Sequence, residues 1–473
     1  MRFLPTMRVI GETDYQRIHD ASLKILQETG VRFDSQDALD IFSSHGIKVE
    51  NKTVFIPPKL VEESVEKAPA KFKWTARNEK QSVMLGEGYV VEPNVGCVFA
   101  QSIDRGRWPG TREDYANIQK LHQSSNLPTV VGATPIQISD AGVNEKHLYM
   151  LYETIKHTDK PVIGICESKA HVFENLKMME IAMGEKRFSE DICLAVSVNP
   201  LSPLAYGTET SDSMIQYAKK GQAVMSLPCI MAGVSGPISI FGTIVLQNAE
   251  ILAALVLTQL INPGNAFVMC PCSSTAYMKR GNYVTGAPEM MLIDIAGLQM
   301  AHDFYHLPSR LMTGMTDAKV VDVQAGYETM QNLVLGILAR PNILHECHGV
   351  LESIMTISYE KFIIDEELIG RVLRFAEGID TSDQAMSLDL IMEIGHSGSY
   401  FTHEETFRRY KELWEPSISD WHAYSEWQEK NEDRDILFRA NQAWKKRLAD
   451  APETMIDSEL DRLLIDYMKS IRA

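Results

Sequence analysis

The chain has 473 residues, of which 45% are hydrophobic and 23% are charged, and its formal net charge is -17 at pH 7. This composition is typical of a globular protein with a large core and excludes an intrinsically disordered chain. The acidic balance also excludes a nucleic-acid-binding surface, because such surfaces bind phosphates through clustered Lys and Arg.

The N-terminal stretch MRFLPTMRVIGETDYQRIHD lacks the apolar run of a signal peptide. The longest apolar helical segment, AEILAALVLTQLI, is too short for a bilayer and is typical of a buried helix. The seven cysteines are odd in number and lie mostly in apolar runs, as reduced core residues do. We therefore expect a cytoplasmic protein with no membrane partner.

Patterns along the chain predict three segments. Residues 1–86 combine helical patterns with a short extended stretch, NKTVFIPPKLVEESV, and predict a capping segment. Between residues 87 and 380, apolar runs alternate eight times with helical patterns. Residues 381–473 are helical, charged and aromatic, which predicts a C-terminal extension and favours a homo-oligomer. The eight predicted strands are YVVEPNV, TVVGATPIQI, PVIGICES, ICLAVSVNP, AVMSLPCIMAG, AFVMCPCSS, SRLMTGMTD and NILHECHG.

These strands are apolar throughout, which indicates a parallel sheet covered by helices. Eight strand-helix units predict an α/β protein with a TIM (β/α)8 barrel, in which functional groups lie on the loops after the strands. An open doubly wound sheet is the alternative. It is disfavoured because no G-x-G-x-x-G motif follows the first strand.

The eighth strand ends in four consecutive polar or sulfur-containing residues. Because side chains alternate along a strand, we expect His345 and Cys347 on one face and Glu346 and His348 on the other. The H-x-C pair could bind zinc with the CPC sequence of the sixth strand, although core packing of these cysteines is the simpler interpretation.

Strand ends supply the candidate binding residues. His348 is favoured because it lies nearest the carboxyl end of its strand, whereas His345 could be structural or functional. Arg310, at the start of the seventh strand, could bind a substrate carboxylate or brace a buried acid. For the remaining candidates, the alternative to a binding role is that the side chain is packed in the core or lies at the surface where a strand ends. These are the polar strand ends Glu167 and Asn199 and three aromatic residues that could form a cation-binding cage, Phe99, Tyr206 and Tyr359.

Several segments together resemble the trimethylamine methyltransferase superfamily. They are DRGRWPGTREDYAN, VSGPISIFGTIVLQNAEILAALVLTQLINPG, GAPEMMLIDIAGLQMAHDFYHLPSR, TDAKVVDVQAGYE, EKFIIDEELIG and HSGSYFTHEETFRRYKELWEP. The chain contains only ordinary residues and is similar to the branch without pyrrolysine, which includes glycine betaine, proline betaine and carnitine demethylases.

This resemblance implies transfer of a methyl group from a quaternary amine to the Co(I) of a cognate corrinoid protein. The corrinoid, a cobalamin, belongs to the partner, so no tightly bound cofactor, metal or protein nucleophile is expected. His348 is then expected to anchor a substrate carboxylate, with His345 and Arg310 as weaker candidates, while Tyr206 or Tyr359 flanks the methyl groups. The alternatives are a zinc-dependent methyltransferase of a thiol or alcohol and a non-catalytic betaine-binding protein.

Overall fold

A computed structural model of the protein describes residues 6–127, 129–132, 134–429 and 435–472. Its central part is an α/β fold in which a strand occurs at each of the eight predicted segments. The strands are β1 (Val90–Val91), β2 (Val131–Gly132), β3 (Val162–Gly164), β4 (Leu194–Val198), β5 (Ala223–Ser226), β6 (Phe267–Met269), β7 (Arg310–Met312) and β8 (Ile343–His345).

Each strand is followed by a long helix before the next strand begins. The helices are α1 (Arg112–Ser124), α2 (Lys146–His157), α3 (Lys169–Met183), α4 (Thr208–Lys219), α5 (Ile240–Ile261), α6 (Pro288–Gln299), α7 (Val323–Ala339) and α8 (Tyr359–Ala376). A shorter helix, Glu185–Glu190, follows α3.

The eight strands belong to two parallel sheets. Strands β2 to β6 form the first sheet, and β7, β8 and β1 form the second. At one junction Met269 and Ser309 form a parallel bridge. At the other, the Val91 carbonyl accepts a hydrogen bond of 2.8 Å from the Thr129 amide. The two sheets therefore contact each other at both junctions.

Both faces of these strands are buried, which explains why their sequences are apolar without alternation. The inner side chains include Ile163, Ala223 and Val268, which lie in one cluster. The outer side chains, such as Val196 and Phe267, pack in a second cluster with the helices. Full burial of a large aliphatic side chain stabilises a fold by roughly 1.5–3 kcal/mol.

A hairpin covers the amino ends of the strands. It consists of the antiparallel strands Phe72–Trp74 and Val83–Leu85. Trp74 is fully buried in the inner cluster and forms a parallel bridge with Ile192, just before β4. The open side of the fold is therefore at the carboxyl ends of the strands.

The loops at those carboxyl ends carry small sheets of their own. Strands Phe99–Ser102, Gly106–Pro109, Val350–Leu351 and Thr356–Ser358 form one sheet. Strands Met231–Ala232, Ser274–Tyr277 and Asn282–Tyr283 form another.

The N-terminal residues pack against the outside of the central fold. Their helices are Glu12–Lys24, Gln36–Ser44 and Pro58–Lys67. Strand Val31–Phe33 pairs in parallel with Ala205–Tyr206, and its other edge joins the antiparallel pair Thr53–Phe55 and Lys48–Glu50.

Helix α5 is longer than the sequence indicated. The apolar segment AEILAALVLTQLI predicts a helix too short for a bilayer, whereas α5 has 22 residues. It begins after Ser239, whose hydroxyl accepts a hydrogen bond from the Gly242 amide. Although α5 is long and apolar enough to cross a membrane, 78% of its most apolar window is buried inside the protein. It is therefore packed as a core helix, and the N-terminal helices Glu12–Lys24 and Pro58–Lys67 contact it.

The C-terminal residues form helices Asp383–Met386, Leu388–Ile394, Glu404–Arg409, Tyr424–Glu429, Ile436–Asp450 and Ser458–Arg472. Helix Ile436–Asp450 packs on α8, and the last helix packs on α3. The exposed large apolar side chains of this part of the chain include Phe401 (89%), Phe407 (78%), Leu413 (71%) and Trp421 (61%). We call these four residues the C-terminal apolar surface.

Candidate active site

Four charged side chains meet inside the strands near their carboxyl ends. Glu92 follows β1, Arg310 begins β7, His345 ends β8, and Glu346 comes next in the chain. Each is at most 2% exposed. We call these four residues the charged cluster.

Arg310 is the centre of the charged cluster. Its Nη2 donates to Glu92 Oε1 at 2.5 Å, and its Nη1 donates to the Ser197 hydroxyl of β4 at 2.8 Å. His345 lies between the two carboxylates, with Nδ1 3.2 Å from Glu92 Oε1 and Nε2 3.1 Å from Glu346 Oε1. Arg310 therefore braces a buried acid, which is one of the two roles considered from the sequence.

A backbone turn at Glu346 brings its carboxylate to His345. Glu346 has φ +54°, in the left-handed region, so the strand geometry ends at His345. Gly314 lies directly against this turn, where a Cβ would clash with the Glu346 carbonyl and Cys347. The predicted alternation of side chains from His345 to His348 was wrong for this reason.

Opposite charges in the cluster stabilise one another. Burial and the Arg310 guanidinium both oppose protonation of His345, but Glu92 and Glu346 outweigh them and raise the pKa of the imidazole. Burial alone would raise the pKa of Glu92, yet Arg310 and His345 lower it. Arg310 and His345 therefore favour the charged form of Glu92, and the two glutamates favour the protonated form of His345.

Two carboxylate oxygens of the charged cluster have no hydrogen-bond partner among the described residues. They are Glu92 Oε2 and Glu346 Oε2, and Arg310 Nε likewise lacks an acceptor. Buried polar atoms are nearly always paired, so these three atoms require a polar or charged partner that the described side chains do not supply.

Sulfur atoms line the neighbouring strand ends. Cys229 Sγ lies 3.4 Å from Cys272 Sγ, which in turn lies 3.1 Å from Met312 Sδ. Met312 pairs in register with His345, which places these sulfurs beside the charged cluster. Cys229 is only half-buried and accepts a hydrogen bond from the exposed Asn199 at 3.4 Å, whereas Cys272 and Met312 are buried behind it.

His348 lies apart from the charged cluster. Its ring packs 5.0 Å from the ring of Phe362 on α8, and neither ring nitrogen has a hydrogen-bond partner among the described residues. Burial, together with the cations of Lys361, Lys160 and Arg447, lowers the pKa of His348 to about 3. The imidazole is therefore neutral near pH 7, and this placement favours a packing role over the predicted carboxylate anchor.

The three candidate cage aromatics lie in three different places. Tyr206 stacks on Phe33 and donates to the Glu250 carbonyl at 2.9 Å. Tyr359 stacks near Trp108 and Trp444, and its hydroxyl donates to Asp114. Phe99 lies under the Arg107 guanidinium, 3.4 Å from it. The structure therefore does not bring these three rings together as one cage.

The other two polar candidates have local partners. Asn199 donates to the Leu227 carbonyl at 2.9 Å as well as to Cys229, so it belongs to the sulfur-lined side of the opening. Glu167 follows β3, and its carboxylate accepts a hydrogen bond of 2.9 Å from His171 Nδ1.

The zinc site considered for the H-x-C sequence does not form. His345 faces Arg310, whereas Cys347 packs in an apolar cluster with Leu333 and Ile337 of α7. The Cys347 thiol lies 2.9 Å from the Thr313 hydroxyl. Because the turn at Glu346 separates them, His345 and Cys347 point in different directions.

Five residues of the site were not among the sequence candidates, namely Glu92, Glu346, Ser197, Cys229 and Met312. Glu92 could have been found from the sequence, because it directly follows two valines of a predicted buried strand. A carboxylate buried at such a position requires a cation or a hydrogen-bond donor as a partner. The hydroxyl and the thiol carried none, because such residues are common in apolar strands.

Comparison with known proteins is consistent with this architecture. The whole chain, residues 1–473, matches the model of the family described as trimethylamine methyltransferase (MTTB). A glycine betaine methyltransferase of Desulfitobacterium hafniense (strain Y51) is 36% identical over 467 residues, covering 98% of this chain and 97% of that protein. A proline betaine:corrinoid methyltransferase of Eubacterium limosum is 30% identical over 456 residues, covering 93% of each.

A solved structure supports the fold. The crystal structure of the Methanosarcina barkeri monomethylamine methyltransferase matches with a TM-score of 0.55 over 95% of this chain and 90% of that one. The two sequences are 11% identical, so the likeness is one of fold.

Charged groups buried at the carboxyl ends of parallel strands are typical of α/β enzymes. The chain belongs to the trimethylamine methyltransferase family. It is therefore a methyltransferase, which confirms the predicted family and enzymatic character and excludes the reading as a non-catalytic binding protein.

Proposed function

We propose that this chain transfers a methyl group from a quaternary amine of the betaine type to the Co(I) of a cognate corrinoid protein. The site is the charged cluster and the sulfur-lined opening beside it. The observation that carries the proposal is the pair of buried, unpartnered oxygens on Glu92 and Glu346. The names of the glycine betaine and proline betaine relatives support the choice of substrate class.

A closed barrel is part of the proposal. The Met269–Ser309 bridge and the hydrogen bond from Thr129 to Val91 support closure of the two parallel sheets into one (β/α)8 TIM barrel. The hairpin containing Trp74 covers the amino end. Substrate and corrinoid protein then both approach from the carboxyl end, where Asn199 is exposed.

A quaternary ammonium has no N–H to donate, so it is held by charge and by contact. The Coulomb attraction between a positive unit charge and a carboxylate 4 Å away is about 4 kcal/mol at the effective dielectric constant of a protein site. In our proposal the ammonium end faces Glu92 Oε2 and Glu346 Oε2, and the same carboxylates direct the negative end of a betaine toward the opening. Cys229, Cys272 and Met312 supply polarizable contacts for the methyl groups.

The pairing of the two carboxylates with Arg310 and His345 suits this chemistry. Positive charge leaves the nitrogen as the methyl group departs, so a strongly anionic pocket would stabilise the substrate more than the transition state. Arg310 and His345 offset that effect while fixing both carboxylates. The corrinoid supplies the nucleophile, and the chain contributes orientation, which is worth several kcal/mol in a well-aligned transfer.

The remaining features of the proposal concern assembly and location. Self-association through the C-terminal apolar surface is supported by the exposure of Phe401 and Phe407, because a second copy of the chain would bury such large apolar side chains. A cytoplasmic location fits an enzyme that works with a reduced corrinoid protein.

Methylation of free, chemically reduced cobalamin tests the function. Full-length protein is incubated with glycine betaine, proline betaine, carnitine or trimethylamine, and the loss of the Co(I) absorbance is followed. We expect a betaine to react fastest. Preference for trimethylamine, or no reaction with any of the four substrates, contradicts the proposal.

A further inference from the structure

A second cluster of ligating side chains lies outside the strands, between α2 and α3. It contains His147 in the first turn of α2, Glu167 in the loop after β3, and His171 in the first turn of α3. None of these residues belongs to the charged cluster. One ring nitrogen of each histidine and one Glu167 oxygen all lie within 4.8 Å of one another.

Both histidines are oriented by carboxylates. His147 Nε2 lies 2.5 Å from Glu174 Oε2, and His171 Nδ1 lies 2.9 Å from Glu167 Oε2. The two rings stack with centroids 3.9 Å apart and an interplanar angle of 17°. Two imidazoles held this close repel if both are protonated, and burial lowers the pKa of His147.

One atom of this cluster lacks a partner. His147 is fully buried, yet its Nδ1 has no hydrogen-bond partner among the described residues. A buried imidazole that donates through one nitrogen to a carboxylate presents a lone pair at the other. This is the arrangement by which metal-bound histidines are oriented in proteins.

We propose that His147, His171 and Glu167 bind one divalent transition-metal ion, with zinc preferred, and that Glu174 orients His147. Two imidazoles favour zinc over magnesium or calcium, which take oxygen ligands. Tetrahedral bonds of about 2.0 Å place ligand atoms roughly 3.3 Å apart, so metal binding draws the three ligands together and rotates the stacked rings until both lone pairs point at the ion.

The site is accessible and has room for a further ligand. His171 and Glu167 are 18% and 21% exposed at their side chains, so an ion can enter from solvent. A water molecule completes the coordination. Because α2, α3 and the loop after β3 each contribute a ligand, the ion links three elements beside the opening, separately from the residues that we assign to methyl transfer.

Zinc binding by the untagged, full-length protein tests this inference. After chelation and dialysis, calorimetric titration with ZnCl2 is expected to give one equivalent with a dissociation constant of about 1 μM or lower. MgCl2 under the same conditions is expected to give no heat of binding. No stoichiometric zinc binding by the wild-type protein overturns the proposal.

Variants assign the ligands. His171→Ala and Glu167→Gln each replace a partly exposed side chain. Both variants are expected to bind zinc at least tenfold more weakly and to lose the rise in Tm that zinc causes in the wild type. His45→Ala removes an exposed imidazole elsewhere and is the matched control, expected to bind as the wild type does. Equal binding by His171→Ala and His45→Ala contradicts the ligand assignment. The measurement is independent of methyl transfer, so it stands or fails apart from the proposed function.

Discussion

Arg310 and Glu92 form an ion pair of 2.5 Å that is almost completely buried. Removing one partner leaves the other charge uncompensated, which typically costs 3–5 kcal/mol. Arg310→Met is therefore expected to lower the free energy of unfolding by about that amount, measured by urea denaturation.

The double variant Glu92→Gln/Arg310→Met removes both charges and is the control. It is expected to recover most of the lost stability but not methyl transfer to cobalamin. If the double variant is as unstable as Arg310→Met alone, the ion pair is not the source of the loss.

His345 gives the charged cluster a dependence on alkaline pH. Its pKa in the folded protein is raised above the ordinary value, so its contribution to stability is complete below about pH 6.5 and is lost as pH rises through the folded pKa. We expect kcat/KM and the free energy of unfolding to fall together on the alkaline side. The His345→Gln variant is expected to lack this alkaline decrease in both kcat/KM and the free energy of unfolding. If the variant shows the same decrease as the wild type, His345 is not the group that titrates.

Glu346 offers the mildest test of substrate binding. Glu346→Gln keeps the shape of the side chain and an acceptor for the Val95 amide, which lies 3.1 Å from Glu346 Oε1. It removes one negative charge from the proposed ammonium site. We expect KM for glycine betaine to rise about tenfold, equivalent to about 1.4 kcal/mol, while the fold is retained. An unchanged KM would place the ammonium elsewhere.

His348 separates a packing role from an anchoring role. Both of its ring nitrogens are buried without a partner among the described residues, which typically costs 1–3 kcal/mol for such a group. His348→Leu is therefore expected to leave kcat and KM within about twofold and to hold or raise stability. His345→Leu, the matched change in the charged cluster, is expected to abolish transfer. A large rise in KM for His348→Leu would instead support His348 as the residue that binds the substrate carboxylate.

Oxidation should act through Cys229 and Cys272. Their sulfurs lie 3.4 Å apart, and a hydrogen bond from Cys272 leads the effects that lower the pKa of Cys229. A disulfide needs about 2.05 Å between the sulfurs, so a small movement suffices. Treatment with diamide is expected to remove two free thiols and most activity, and dithiothreitol to restore both. The Cys229→Ser variant is expected to keep its activity in diamide. The control variant Cys166→Ser is expected to lose activity as the wild type does.

The main elements of the fold could be predicted because burial on both faces leaves a simple pattern in each strand. Apolar runs marked all eight strands, and the confirmed family rests on segments spread over the chain. The direction of individual side chains could not be predicted as well. Periodicity assumes regular backbone, whereas the φ of +54° at Glu346 turned the end of β8. Likewise, Tyr206 and Tyr359 lie near strands in the sequence but pack against Phe33 and Trp444.

The balance of charge around Arg310 constrains how this site can diverge. Glu92, Arg310, His345 and Glu346 are each at most 2% exposed, so solvent cannot compensate for the loss of any one of them. A single replacement leaves an odd charge in the interior, whereas a paired replacement does not. Descendants of this sequence that acquire a different substrate should therefore change these positions in compensated pairs, and a library that varies one position at a time would recover mainly proteins of lowered stability.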